Sequence, residues 1–147
     1  MPFVLLPEQL HYLICNCEFE MQLPIHLKRT KDIFVFGCTT GLRVSDLMQL
    51  KRQHLVLQGD AYYLQVYTQK TSACVLIPLP EYCVHIVKRY KGNSNGFLLP
   101  RLSNTNLNLN LKTLGKLANW TTIVPKYRTR KGKLTELKHA NGASWKF

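Results

Sequence analysis

Apolar positions along the chain fall first at helical spacing, then in alternation, then at helical spacing again. Residues 7–20 place Leu10, Leu13, Ile14 and Cys17 on one face behind Pro7 and Glu8, which suit a first helical turn. Pro24 interrupts that pattern. Residues 26–39 predict a second helix, basic at Lys28, Arg29 and Lys31 and apolar from Ile33 onward. By composition Ile33-Phe34-Val35-Phe36 could be a strand, but Gly41 as a stop and the helical pattern after it favour a buried helix. Residues 43–51 carry Val44, Leu47 and Leu50 at i, i+3, i+6, a short third helix with that face inward. From Gln53 the period becomes two. Residues 54–57, the turn Gly59-Asp60 and residues 62–67 predict a hairpin, and Ala73 to Pro78 a third strand after the turn Gln69-Lys70-Thr71-Ser72. Pro80 opens a helix over residues 80–91, with Val84, Ile86 and Val87 inward and Lys88, Arg89 and Lys91 outward. A loop at 92–96 and an extended piece, Phe97 to Pro100, precede a last helix over 105–119, capped by Ser103 or Asn104. Leu107, Leu111, Leu114 and Leu117 repeat there at helical spacing, although Asn106, Asn108 and Asn110 are poor helix formers. The expected fold is α+β: mostly helical, with a small three-stranded antiparallel sheet.

Composition narrows the class. The chain has 147 residues, 46% of them hydrophobic and 19% charged, enough for one domain with a core. Twenty Lys and Arg against eight Asp and Glu give +12, a field that favours polyanions, nucleic acid before an anionic membrane. The surplus is uneven: residues 112–147 hold nine basic side chains and one acid, Glu136, for net +8, and residues 1–111 hold net +4. Lys126, Arg128, Arg130, Lys131 and Lys133 cluster in that segment. They suit an extended arm or hairpin edge lying against phosphates, or equally a solvated end. No stretch has the length of a membrane span or the form of a signal peptide, so the cytoplasm, near the nucleoid, is the expected place. Five cysteines include no C-x-x-C pair. Cys38, Cys74 and Cys83 sit in apolar contexts that predict burial. His11, Cys15 and Cys17 make too few ligands for zinc, so no metal is expected.

The most informative stretch runs from Thr40 to Lys51, T-G-L-R-V-S-D-L-M-Q-L-K. It sets Arg43 just after a glycine turn at the start of a helix, where a guanidinium and free backbone N–H groups could hold a phosphate. The competing reading is a local pair with Asp46, one turn along. Tyr62, Tyr63 and Tyr67 could form a stacking platform for bases or could simply pack, with Tyr63 and Tyr67 on one face and Tyr62 on the other.

Thr40-Gly41-Leu42-Arg43-Val44-Ser45-Asp46-Leu47, followed by a three-stranded sheet with Lys70 in its hairpin turn 27 residues after the arginine, resembles the tyrosine recombinase (phage integrase) catalytic domain. The resemblance runs from about Lys28 to the C-terminus and is greatest to integrases of mobile elements such as conjugative transposons. It implies site-specific DNA recombination without a cofactor, in which a tyrosine attacks a phosphodiester to give a 3′-phosphotyrosyl intermediate. Arg43 matches the first catalytic arginine, which holds the non-bridging oxygens where charge builds in the transition state. Lys70 matches the hairpin lysine that protonates the leaving 5′-oxygen. Asp46 matches an acidic position expected to orient Arg43 or to cap the helix.

The departure is as informative as the match. The family's second box, H-x-x-R, and its later tyrosine nucleophile have no counterpart C-terminal to this region. His139 has Gly142 three residues on, and no tyrosine follows Tyr127. The expected organisation is a linker and first helix over 1–24, then the N-terminal portion of a catalytic domain over 25–147. Such a chain is expected to bind double-stranded DNA without cleaving it, alone or as a homo-oligomer, with no small-molecule substrate. The alternative is a non-catalytic basic nucleic-acid-binding domain.

Overall fold

The computed structural model describes residues 5–67, 74–92 and 96–120, together with the backbone of strands at 126–130 and 133–137. Among the described residues six α-helices and five strands follow in the order α1 (Pro7–Cys15), α2 (Cys17–Gln22), α3 (Ile25–Thr40), α4 (Val44–Leu47), β1 (Leu55–Gln58), β2 (Ala61–Tyr67), β3 (Cys74–Pro78), α5 (Glu81–Arg89), α6 (Asn104–Leu117), β4 (Lys126–Arg130) and β5 (Lys133–Leu137). The chain is therefore α+β, as its alternating periods predict.

α3 is the hub. It packs against α1, α5 and α6, and Leu27, Ile33, Val35 and Phe36 are all buried along it. Ile33-Phe34-Val35-Phe36 is thus helical: residues buried on several faces leave no periodicity to distinguish helix from strand, and length decides. The sheet has the order β1-β2-β3, antiparallel throughout. Leu55, Leu64 and Ile77 align across it, and Leu64 and Val66 enter the same core as the helices. Tyr62 packs on that core, whereas Tyr67 on the other face is 66% exposed. α6 packs on α3 and buries Leu107 and Leu114. Its awkward asparagines have a use: Asn110 donates to the Thr30 hydroxyl of α3 at 3.0 Å.

Several expectations need correction. The first helix is broken at Asn16, whose side chain accepts the Phe19 N–H at 2.8 Å and starts α2 afresh. A side chain that caps a new helix competes with continuation of the old one. The helix expected over 43–51 is a single turn, followed by a 3₁₀ turn at Arg52–His54. Leu47 and Leu50 are buried as expected, but Val44 is 40% exposed. Cys83 alone of the three cysteines is buried, and burial pushes its thiol up to about 11, with the Thr39 hydroxyl opposing; Cys38 and Cys74 are exposed. Leu117 lies at the exposed end of α6, 52% accessible.

Arg89 is exposed as expected, yet its guanidinium reaches an ion cluster that no spacing rule reveals. Its guanidinium meets Glu20 at 2.6 Å and Asp32 at 2.8 Å, Lys31 meets Glu20 at 2.6 Å, and the Tyr90 hydroxyl donates to Asp32 at 2.8 Å. Asp32 is 1% exposed and Lys31 4%, so the cluster ties α2, α3 and α5 together at the edge of the core. Burial works to raise the Glu20 carboxyl, but the hydrogen bond and charge of Lys31, then Arg89, outweigh it and hold that carboxyl below its ordinary value.

Candidate nucleic-acid interface

Arg43 is placed by backbone geometry on both sides. α3 ends with Gly41 in the left-handed region at φ 67°, its N–H bonded to the Gly37 carbonyl at 2.9 Å. Upstream, the buried Thr40 hydroxyl donates to the Phe36 carbonyl at 2.9 Å and holds the last turn closed. Leu42 then dips toward the core, and Arg43 takes the N-cap position of α4, its carbonyl accepting the Leu47 N–H at 2.8 Å. α4 lies close against α3: a Cβ added at Gly37 would stand 3.1 Å from Leu47 Cδ2. A bulkier residue at 37 would therefore displace the turn that carries the arginine.

The positive φ at Gly41 makes a direct test. No atom lies within 4 Å of an added Cβ there, so any cost is backbone strain rather than a clash. Gly41→Val is expected to destabilise the chain by about 1–3 kcal/mol, because a β-branched residue is strained in the left-handed region. Gly41→Asn should cost much less, since asparagine tolerates that conformation. Urea melts of the two variants check the difference.

The side chain of Arg43 is exposed, and among the described residues it makes no hydrogen bond or ion pair. The local pair with Asp46 therefore does not form; Asp46 is part-buried and its carbonyl accepts the Gln49 N–H at 3.1 Å. Because α4 is one turn long, the phosphate grip expected of its N-terminus reduces to the guanidinium itself. Lys70 and Lys131 lie outside the described residues; in sequence Lys70 falls between Tyr67 and Cys74, which pair across β2 and β3. Lys126, Arg128, Arg130 and Lys133 sit on the two-stranded hairpin β4–β5, in register from Lys126↔Leu137 to Arg130↔Lys133. The basic segment is thus a hairpin, one of the two forms its alternation allowed.

Neither a family profile nor a curated protein sequence matches this chain. Solved structures do. A XerH site-specific recombinase bound to its difH substrate in a pre-cleavage complex superposes with a TM-score of 0.62 at 15% identity, covering 80% of this chain and 37% of that one. The same recombinase on a palindromic difH substrate, post-cleavage, gives 0.60 at 15% identity over 78% and 35%. This chain has the fold of part of a site-specific recombinase. It spans just over a third of the length of those neighbours. At such identity the likeness speaks for architecture, and the recombinase fold is the one the Thr-Gly-Leu-Arg stretch led us to expect.

Periodicity and motif reading gave no role to the other cations that the fold assembles. Lys51 bridges to Phe97, the Leu98 N–H bonds to the Leu50 carbonyl at 2.8 Å, and the Arg101 guanidinium stacks over the Phe97 ring at 4.7 Å. Lys88 lies over the Tyr62 ring at 6.0 Å. The Lys51–Phe97 and Lys88–Tyr62 contacts are distant in sequence, so only a crowding of basic residues after Leu50 and around residue 90 hinted at them.

Proposed function

We propose that this chain binds duplex DNA as the phosphate-gripping part of a tyrosine recombinase catalytic domain, of the kind used by mobile elements for integration. The observation that carries the reading is Arg43: exposed, unpaired by Asp46, and held on a glycine-terminated turn between α3 and α4. A guanidinium free of carboxylates on a rigid support can meet two oxygens of one phosphate. Lys70 is the proposed proton donor to a leaving oxygen, and Asp46 the residue that steadies the α4 turn beneath Arg43. Lys126, Arg128, Arg130, Lys131 and Lys133 supply further backbone contacts. After Lys70 neither His85 nor His139 has an arginine three residues on, and no tyrosine follows Tyr127, which supports a part that binds without cleaving.

Titration of a labelled duplex over a range of salt tests the reading. Arg43→Ala with Lys70→Ala should lower affinity and reduce the slope of log K against log salt by about 2, near 0.9 for each phosphate no longer neutralised. Arg43→Lys should recover the slope but not all the affinity, since an ammonium lacks the paired donors. An unchanged slope in the double variant overturns the assignment.

The exposure of Tyr67 favours a second reading, a non-catalytic binder that stacks unpaired bases on the outer sheet face. Tyr67→Ala would then weaken binding to single strands and leave duplex binding as it was.

A further inference from the structure

We propose that Lys51, Lys91 and Arg101 form a second backbone-phosphate contact for duplex DNA, separate from Arg43 and from the basic hairpin. The inference rests on the duplex-binding reading and adds a surface to it. Residues 50–52 meet two segments that follow α5 at this place. Residues 50–51 are joined to 97–98 by the Lys51–Phe97 bridge and the 2.8 Å bond from the Leu98 N–H to the Leu50 carbonyl. Next to Lys51, the Arg52 guanidinium donates to the Tyr90 carbonyl at the end of α5, which brings Lys91 to the same edge. A cation at the last carbonyls of a helix is favoured by the helix dipole, so Arg52 is occupied as an internal tie.

What remains is three outward cations on a braced frame. Lys51, Lys91 and Arg101 are all exposed, and no described carboxylate lies within ion-pair distance of any of them. At the edge of the core the fold does neutralise charge: Lys31 and Arg89 are consumed by Glu20 and Asp32. Arg101 is pre-ordered by its 4.7 Å stacking on Phe97, which lowers the entropy lost when its fork meets a phosphate. Like charges held together without counter-charges cost stability unless a polyanion answers them. Phosphates spaced along a duplex present such a row of charges.

The test is a salt titration on two duplexes of unrelated sequence with the full 147-residue chain. The variant Lys51→Gln, Lys91→Gln, Arg101→Gln is compared with the wild type and with Arg43→Ala. All three substitutions fall on exposed side chains, and an unchanged thermal melt shows that the variant folds. The expected result is a slope reduced by about 2.7, so that the gain in affinity between about 200 and 50 mM salt shrinks by about fortyfold. The loss should be equal on both duplexes, because phosphate contacts carry no sequence information. A slope equal to the wild type's, while Arg43→Ala lowers it, overturns this surface and leaves the Arg43 assignment standing. The same holds for a loss confined to one duplex, or one seen with single-stranded RNA alone. No duplex binding by the wild type at low salt overturns both.

Discussion

Replacing Asp32 with alanine is expected to destabilise the protein by about 3 kcal/mol, with the denaturant midpoint falling and the m-value unchanged. The carboxylate is 1% exposed and accepts from Arg89 and Tyr90 at 2.8 Å each. Its other oxygen is buried without a directed hydrogen bond, though Lys31 Nζ stands 3.5 Å away. Breaking a buried ion pair from one side costs about 3–5 kcal/mol, because the remaining charge stays desolvated. We place this case at the low end. Arg89 is 45% exposed and water recovers part of its loss, and Glu20 still pairs with Lys31. The Tyr90 hydroxyl has no such relief; its residue is 9% exposed and would lose its acceptor. Asp32→Asn keeps the shape and one acceptor and should cost roughly half as much.

The same cluster sets an acid limb. The Glu20 carboxyl lies below its ordinary value of 4.5 in the folded chain, so its contribution is present above that value. It is lost as pH falls through the lower folded value. Glu20→Gln should therefore flatten the fall in stability below about pH 4.5 relative to the wild type. An acid limb of equal steepness in both proteins would refute that assignment. Tyr90 gives the opposite sign. Burial first, then the Asp32 charge and hydrogen bond, raise its phenol above the ordinary value of 10. Stability from that hydroxyl is intact below 10 and is lost as pH rises toward the folded value.

Phe36→Ala is expected to cost about 3–5 kcal/mol, a third or more of the stability of a typical domain. Phe36 is fully buried in the middle of α3, the helix against which α1, α5 and α6 pack. Truncation removes the transfer energy of the ring and leaves a cavity that three packed helices can close only in part. Phe36→Leu should cost far less, since most of the volume is kept. This loss involves no titrating group. It should stay flat across the acid range in which the Glu20 contribution changes, and that contrast separates packing from the ion cluster in one set of urea melts.

Local rules reached a good deal of this molecule. Pro7, Pro24, Gly41 and Pro80 punctuate the chain where short-range sterics demand it, and each lies within a residue or two of a helix end. The two-residue period from His54 to Pro78 produced a sheet because alternation in a half-buried strand is itself a local property. The Thr40–Leu47 stretch led to the recombinase architecture through its resemblance to that family, and its glycine stop is readable without neighbours. Where local rules failed, a competing contact had won. Asn16 capped a new helix, and α4 ended after one turn, its Leu47 seated against Gly37.

The chain's own order of residues thus determined its class, the number and kind of most of its elements, its excess of positive charge and the place of Arg43 after a glycine stop. Tertiary structure alone decided which cations are spent and which are free. Lys31 and Lys51 look alike in a sequence, yet one is buried against Glu20 and the other stands beside Phe97 facing solvent. Side-chain charge is written in each residue, but its pairing depends on segments brought together across the core. Desolvation there makes an unpaired ion intolerable, whereas water at the surface leaves it free to bind.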